Sequence, residues 1–269
     1  MPSDRADDCR LPRGRTLFLS DLHLGALSSQ AGLALHFLIR NPAQTYVLVG
    51  DFLDLWHPML PNWTPEDQAV IDHLRARVRM GAKIIYVRGN HDPDPAAIPE
   101  HARLPATHVT RHVHEAVNGK RYLVIHGDEA DSRLIRLHLM TRLGSVIDHA
   151  LRRAERLLRR QRDETYTRGA VDMAICGLNV LRYRGRSHER RMVQMARDEG
   201  LDGVICGHFH IAALHDHFGL TYANCGDWID SMTALDDSGD GVLRRLGGRK
   251  ALIAQTQGLQ GADPKEVTT

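Results

Sequence analysis

The sequence predicts an α/β protein built on a largely parallel sheet, and three observations support this fold class. Short apolar runs rich in β-branched residues recur along the 269 residues, and each run stops at Gly, Asp, Asn or His. Helical patterns separate the first three of these runs. Polar blocks with Asp, Asn and His follow five of them directly. Alternation of strand and helix indicates parallel pairing with helices on the sheet faces, and this length suits one α/β domain carrying an insertion.

Six apolar runs predict the strands. They cover residues 16–19, 45–49, 83–87, 122–125, 203–206 and 220–223. Runs this short and this continuously apolar are typical of strands that are buried on both faces.

Two helices are predicted between the first three strands, over residues 34–39 and 66–80. The second has the clearer pattern, because its apolar residues recur at helical spacing and Gly81 follows as a stop signal.

The segment from about 131 to 191 has a different composition and predicts a helical insertion, or cap, on the sheet core. It holds fifteen arginines and seven acidic residues, a net charge of +8, around an apolar stripe at helical spacing. We expect a flexible N-terminus over 1–15, a main domain over 16–246 that includes the insertion, and a loose C-terminal tail over 247–269.

The composition of the chain indicates its cellular compartment and excludes some classes of protein. No run of 18 apolar residues is present, and the first fifteen residues lack the apolar stretch of a signal peptide. The four cysteines show no C-x-x-C spacing, which fits a reduced cytosol. We therefore expect a cytoplasmic protein, and ordinary composition excludes a disordered or fibrous chain.

Five polar blocks stand at the ends of predicted strands. They are Asp21-Leu22-His23, Gly50-Asp51, Gly89-Asn90-His91-Asp92, His126-Gly127-Asp128 and Gly207-His208-Phe209-His210. In a parallel sheet these ends share one edge, so the blocks converge on one crevice. Seven oxygen and nitrogen ligands without a thiolate suit two first-row divalent cations bridged by a carboxylate, such as Mn²⁺, Fe²⁺ or Zn²⁺.

The order D-x-H, GD, GNHD, HGD and GHxH resembles the calcineurin-like metallophosphoesterase superfamily over residues 16–230. The resemblance implies two mixed β-sheets in a sandwich flanked by helices, whereas the residues alone predict only one sheet. It also implies two divalent metal ions, of which Mn²⁺ is the first expectation and Fe²⁺ or Zn²⁺ the alternatives.

The resemblance also implies a role for each residue of the centre. It assigns Asp21, His23 and His210 to the first metal, Asn90, His126 and His208 to the second, and Asp51 to the bridge between them. His91 matches the catalytic position that contacts the phosphate or protonates the leaving oxygen. We expect Asp92 to orient His91 through a hydrogen bond rather than to bind metal.

Three longer stretches are similar to the bacterial UDP-2,3-diacylglucosamine pyrophosphatase-like branch of this superfamily, and they lie at residues 50–56, 122–128 and 224–229. The resemblance implies hydrolysis of a UDP-linked diacylglucosamine by metal-activated hydroxide during lipid A synthesis. The main-branch enzymes carry Arg where this chain has His91, and G-A-W where it has Gly226-Asp227-Trp228.

Three residues are candidates for substrate contacts, namely Arg88, Arg133 and Trp228. Arg suits bidentate contacts to a diphosphate, although Arg88 could instead pair with an acid and Trp228 could instead anchor the core. The insertion is either a solvated helical cap or a surface that holds acyl chains at an anionic membrane. The expected partners are a phosphorylated or nucleotide-linked lipid and the inner membrane surface.

Other functions stay open at this point. A metallophosphodiesterase or phosphatase could act on a soluble nucleotide or a phosphoprotein. A nuclease would need a long basic track for phosphate contacts, and the basic residues are concentrated in one segment, so no nucleic-acid partner is expected. A non-catalytic scaffold of this fold would lose metal ligands, and all seven are present. The oligomeric state is left open.

Overall fold

The strands form two mixed sheets that face each other in the computed structural model, which describes residues 14–55, 62–130 and 186–260. The first sheet has six strands in the spatial order β11-β10-β1-β2-β3-β4. Their bounds are β1 Thr16–Leu19, β2 Thr45–Val49, β3 Lys83–Val87, β4 Thr107–Val109, β10 Thr233–Asp237 and β11 Leu243–Gly247. The four strands β1 to β4 pair in parallel. The alternation of strand and helix predicts this pairing for β1, β2 and β3, whereas β4 was not predicted. Strands β10 and β11 extend the sheet in antiparallel pairing.

The second sheet has five strands in the order β5-β6-β7-β9-β8. Their bounds are β5 His112–Glu115, β6 Arg121–Val124, β7 Gly203–Cys206, β8 Ala213–His215 and β9 Thr221–Asn224. The three inner strands are parallel, and the two edge strands are antiparallel to their neighbours. The two mixed sheets implied by the resemblance are therefore confirmed.

Alternating side chains divide the interior into three apolar layers. Phe18 and Val47 point between the two sheets, where they pack against Val124 and Ile205 of the opposite sheet. Their strand neighbours, such as Leu17, point to the outer face of the first sheet and meet its helices. This alternation follows from the period of two along a strand, and it explains why continuous apolar runs are needed in both sheets.

Helices cover both outer faces. The helices are α1 Ala31–Arg40, α2 Pro65–Arg79, α3 Ser187–Asp198 and α4 Arg249–Gln260. Helices α1 and α2 pack on the first sheet and α3 on the second. Helix α2 begins with a capping box, in which Thr64 and Asp67 satisfy each other's backbone N–H groups. The two predicted helices in this region are confirmed with ends shifted by up to three residues.

The expected loose tail is wrong for residues 249–260, because these residues form α4. Leu252 is buried in the core of the first sheet, and this contact holds a helix that has few other large apolar residues. The predicted insertion also ends too late, since α3 begins at residue 187 and packs through Met192 and Val193 on the second sheet.

Several expectations lie outside the described residues. They concern the N-terminus over 1–13, the insertion over 131–185 with its candidate Arg133, and the end of the tail over 261–269. Within the described ranges, no helix combines the length and apolar character needed to cross a membrane.

We expect Leu252→Ala to lower the free energy of unfolding by about 2–5 kcal/mol, because it leaves a cavity between α4 and the sheet. Urea unfolding followed by circular dichroism measures this loss. The exposed neighbour Gln255 provides the control, since Gln255→Ala should change stability by no more than about 0.5 kcal/mol. Equal, small effects of both variants would show that α4 does not contribute to the core.

Candidate metal centre

The five polar blocks meet at one edge of the sandwich, where parallel strands of both sheets end. Six of the seven expected ligands fall into two groups, in each of which the ligand atoms lie within 4.8 Å of one another. The groups are Asp21 with His23 and His210, and Asp51 with His126 and His208. The seventh, Asn90, directly precedes His91, whose backbone N–H donates to Asp51 Oδ1 at 2.8 Å.

Asp51 lies between the two groups. Its Oδ2 is 3.2 Å from His126 Nε2 and 3.9 Å from His23 Nε2. In the first group, Asp21 Oδ1 is 3.2 Å from His210 Nε2 and 3.8 Å from His23 Nε2. An anionic carboxylate at the junction suits a bridging role, because it offsets part of the charge of two cations.

Three of the histidines present the same ring atom to the centre. His126 Nδ1 donates to the carbonyl of Val49 at 3.0 Å, which leaves Nε2 as the free ligand atom. His23 Nδ1 lies 3.3 Å from Asp54 Oδ2, and His210 Nδ1 lies 3.1 Å from Asp227 Oδ2. Such outer partners fix the tautomer and orientation of metal-binding histidines.

The centre also contains buried polar atoms that suit a cation. Asp21 Oδ1, His23 Nε2, Asn90 Oδ1 and His126 Nε2 are buried and make no hydrogen bond within the part of the chain that the structure describes. Unpaired buried polar atoms are rare because each one costs free energy. Three of these atoms belong to the two groups of candidate ligands, and all four are of ligand type, so they fit divalent metal ions.

Charge coupling in the centre is strong. Burial disfavours ionisation of Asp51, but the neighbouring rings of His126, His91 and His23 together outweigh burial and lower the pKa of Asp51. Burial likewise disfavours protonation of His23, yet the carboxylates of Asp21 and Asp54 raise the pKa of His23 to about 10. A cation bound by these atoms would take the place of such protons, so metal binding should release protons.

The backbone at the ligands is unusual. Five of the seven expected ligands have left-handed backbone conformations: Asp21, His23, Asp51, His208 and His210, with φ between 48° and 73°. Non-glycine residues rarely adopt this conformation, which costs about 1–3 kcal/mol and concentrates at functional sites. The turn after each strand thus aims the ligand into the crevice.

Two glycines permit the close approach of these loops. A Cβ on Gly89 would lie 2.3 Å from Asp51 Oδ1 and 2.5 Å from Asp51 N, and one on Gly207 would lie 2.5 Å from Asp21 Oδ2. No side chain fits at these distances. The glycines of GNHD and GHxH are therefore required by the position of the ligand carboxylates.

The expected role of Asp92 is wrong. Its buried carboxylate accepts hydrogen bonds from the backbone N–H groups of Asp51, Leu53 and Gly89 and from the hydroxyl of Tyr86. Burial and the charge of Asp51 raise the pKa of Asp92. Asp92 therefore fixes the loops after β2 and β3 to each other rather than orienting His91.

Asp54 has the role that was expected of Asp92. Its Oδ2 lies 3.3 Å from His91 Nδ1 and equally 3.3 Å from His23 Nδ1. Burial opposes ionisation of Asp54, but the hydrogen bonds of both rings lower its pKa. One carboxylate thus connects a metal-ligand candidate with the candidate catalytic residue. Its spacing of three residues after Asp51 is the sequence signal for this role.

The candidates for substrate contact have different outcomes. Trp228 is fully buried and packs against Phe37 with 5.0 Å between ring centroids, so the expectation of substrate contact is wrong and Trp228 anchors the core. Arg88 is 43% exposed and pairs with Asp94 at 3.6 Å. A phosphate contact by Arg88 stays a prediction.

Asp227 was not among the expected site residues, although it belongs to the Gly226-Asp227-Trp228 block. It is fully buried behind His210. The sequence signal for Asp227 was an acidic residue within this block. Asp227 is seventeen positions from His210, so no local pattern connects the two residues.

Comparisons with known proteins identify one matching family and several similar solved structures. The sequence model described as calcineurin-like phosphoesterase matches residues 14–212. A search among curated proteins found no match. Similar solved structures include an archaeal phosphodiesterase, which is 14% identical to this chain with a TM-score of 0.43. The alignment covers 86% of this chain and 98% of the archaeal chain. The phosphoesterase Yfce from E. coli is also 14% identical to this chain with a TM-score of 0.43. The alignment covers 87% of this chain and 100% of the Yfce chain.

We expect Gly89→Ala to abolish binding of at least one of two Mn²⁺ ions, because the added methyl group would displace Asp51. Elemental analysis of the protein after Mn²⁺ loading and removal of excess metal measures this loss. Gly32→Ala, in helix α1, is the matched control. The added Cβ would lie 3.7 Å from Glu66 Cγ, which is an ordinary van der Waals contact. Wild-type metal content in both variants would contradict the assigned packing at Asp51.

Proposed function

Because the chain belongs to the calcineurin-like phosphoesterase family and is a metal-dependent phosphoester hydrolase, we propose that it cleaves the pyrophosphate of a UDP-linked diacylglucosamine or a related phospholipid. The observation that carries this proposal is the position of the described residues that flank the amphipathic, arginine-rich segment. On both sides of the segment they lie close to expected metal ligands.

Both ends of the insertion lie beside the expected ligands. The chain leaves the described region through a 3₁₀ turn, Asp128–Ala130, directly after His126. It returns at Arg186, and the ring of the nearby His188 lies 4.3 Å from that of Phe209, between the ligand candidates His208 and His210. A segment that begins and ends here is well placed to contribute to substrate binding.

The composition of the insertion fits a nucleotide-linked lipid. Twelve arginines within residues 131–185 offer bidentate partners for a diphosphate, and Arg133 lies near the start of this segment. The apolar stripe of the same segment could take acyl chains. A soluble nucleotide would use the arginines but would leave the stripe without a ligand.

The residues of the centre suit separate roles for the metal ions and for His91 in hydrolysis. Two divalent cations, when bound, would polarise the phosphoryl oxygens and supply hydroxide near neutral pH. His91 Nδ1 lies 3.3 Å from Asp54 Oδ2, and we propose that His91 acts on the phosphate or the leaving oxygen through Nε2. Asp54 thereby holds the ring in the orientation in which it could donate a proton to the leaving group.

A membrane partner belongs to the same proposal. A positively charged amphipathic segment is attracted to anionic lipids, and a diacyl substrate would be embedded in such a surface. We therefore propose a peripheral position on the inner face of the cytoplasmic membrane. Arg88, which is 43% exposed beside Gly89, is the further candidate for a phosphate contact.

His91→Ala should keep both metal ions and lower the hydrolysis rate about 10²–10⁴-fold, the usual range for a general acid. Metal content and turnover of bis-p-nitrophenyl phosphate test the two parts separately. His101→Ala controls for the loss of an exposed histidine and should leave both unchanged. Loss of a metal ion in His91→Ala would instead make His91 a ligand, as its grouping with His23 and Asp54 also permits.

The substrate is tested with purified protein, Mn²⁺ and UDP-2,3-diacylglucosamine in detergent, with release of UMP as the measurement. We expect release by the wild type and none by Asp51→Ala, which removes the ligand shared by both metals. Cleavage of bis-p-nitrophenyl phosphate without UMP release would keep the hydrolase and reject this lipid. A soluble nucleotide or phosphoprotein would then be the substrate to test.

A further inference from the structure

We propose that Asp227 is a positioning residue that prepares His210 to bind the first metal through Nε2. This inference rests on the metal centre of the proposed function, but not on the lipid substrate. Asp227 lies outside the family match at residues 14–212, whereas His210 lies inside it. The geometry therefore assigns part of the centre to a loop that the family match does not contain.

The contacts of Asp227 define its effect on His210. The carboxylate is fully buried, and its Oδ2 lies 3.1 Å from His210 Nδ1. It also accepts the backbone N–H groups of Asp230 at 3.1 Å and Ser231 at 2.7 Å. Both oxygens of this carboxylate accept hydrogen bonds from the backbone, so the contact with His210 assigns the proton to His210 Nδ1. Nε2, which faces Asp21 Oδ1 at 3.2 Å, is then the atom that a cation would meet.

The same loop also fixes a second ligand of this group. The backbone N–H of Trp228 donates to the carbonyl of Asp21 at 3.0 Å, and the hydroxyl of Ser20 donates to the carbonyl of Gly226 at 2.7 Å. Residues 226–228 thus hold Asp21 by its backbone and His210 by its side chain. The two ligands keep their separation because one short, buried segment contacts both.

The loop at residues 226–228 is held in place by the first sheet and by the start of α4. Trp228 is buried against the first sheet, and the backbone N–H of Arg249 at the start of α4 donates to the carbonyl of Ser231 at 3.1 Å. A carboxylate held this firmly can orient a histidine with little loss of entropy when metal binds. Outer partners of this kind change metal affinity about 10–100-fold.

Asp227→Asn tests the proposal. The amide cannot satisfy Asp230, Ser231 and His210 together, because one of its two ends donates instead of accepting. We expect affinity for the first Mn²⁺ site to fall about 10–100-fold, measured by calorimetric titration of metal-free protein whose fold is checked by circular dichroism. Unchanged affinity for both ions would overturn the proposal.

Asp237→Asn is the matched control. Asp237 is also buried, lies 2.8 Å from a histidine ring nitrogen, that of His114, and accepts backbone N–H groups from Gly239 and Gly241. It lies away from the metal centre, so its loss should lower stability and leave Mn²⁺ affinity unchanged. An equal loss of affinity in both variants would show a general effect on folding and would also overturn the proposal.

A measurement on the wild type covers the case in which Asp227→Asn does not fold. Long-range ¹H–¹⁵N correlation spectra of the Zn²⁺-loaded protein report which ring nitrogen of each histidine carries a proton. We expect His210 to carry it on Nδ1, and coordination through Nδ1 would overturn the proposal. Because these tests measure metal binding, they remain valid if UDP-2,3-diacylglucosamine proves not to be the substrate.

Discussion

A carboxylate buried away from water must be surrounded by hydrogen-bond donors, and Asp92 takes its donors from two neighbouring strand ends. One oxygen accepts the N–H groups of Asp51 and Gly89, and the other accepts that of Leu53 and the hydroxyl of Tyr86. The loops after β2 and β3 are thereby held against each other. Each donor that lost this partner would be left unpaired at a cost of about 1–3 kcal/mol. The position of Asp51 between the two groups of candidate ligands depends on this arrangement.

The ligand loops are assembled against their own conformational preferences. Left-handed backbone at five expected ligands costs free energy, and the packing of the two-sheet core has to offset this cost. Hydrogen bonds between the turns provide part of the support, as when the backbone N–H groups of Asp21 and His23 donate to the carbonyls of Gly50 and Asp51. Metal ions that bind only the folded chain would add to its stability.

Much of the fold and of the centre could be predicted from the sequence, because buried strands leave continuous apolar runs and their polar ends stand out. The strands that were missed are short, lie at sheet edges or carry charge. The clearest case is β10, which is fully buried although it ends in Asp236 and Asp237. These acids are paired with Arg15 and His114 from distant parts of the chain, so no local pattern reveals a strand. Asp227 was missed for the same reason, since its partner His210 is a neighbour only in the folded chain.

The hydrogen bond between Ser20 and Gly226 joins residues that are 206 positions apart. When β1, β2 and β3 have been synthesised, Asp21, Asp51 and Asn90 are present in the chain. The loop at residues 226–228, which contacts Asp21, has not yet been synthesised. The first sheet itself needs β10 beside β1. Contacts of such long sequence separation form late in folding. We therefore expect metal to bind after the loop at residues 226–228 has packed against Asp21, because an incomplete chain would present these acids and histidines without the geometry that selects a cation.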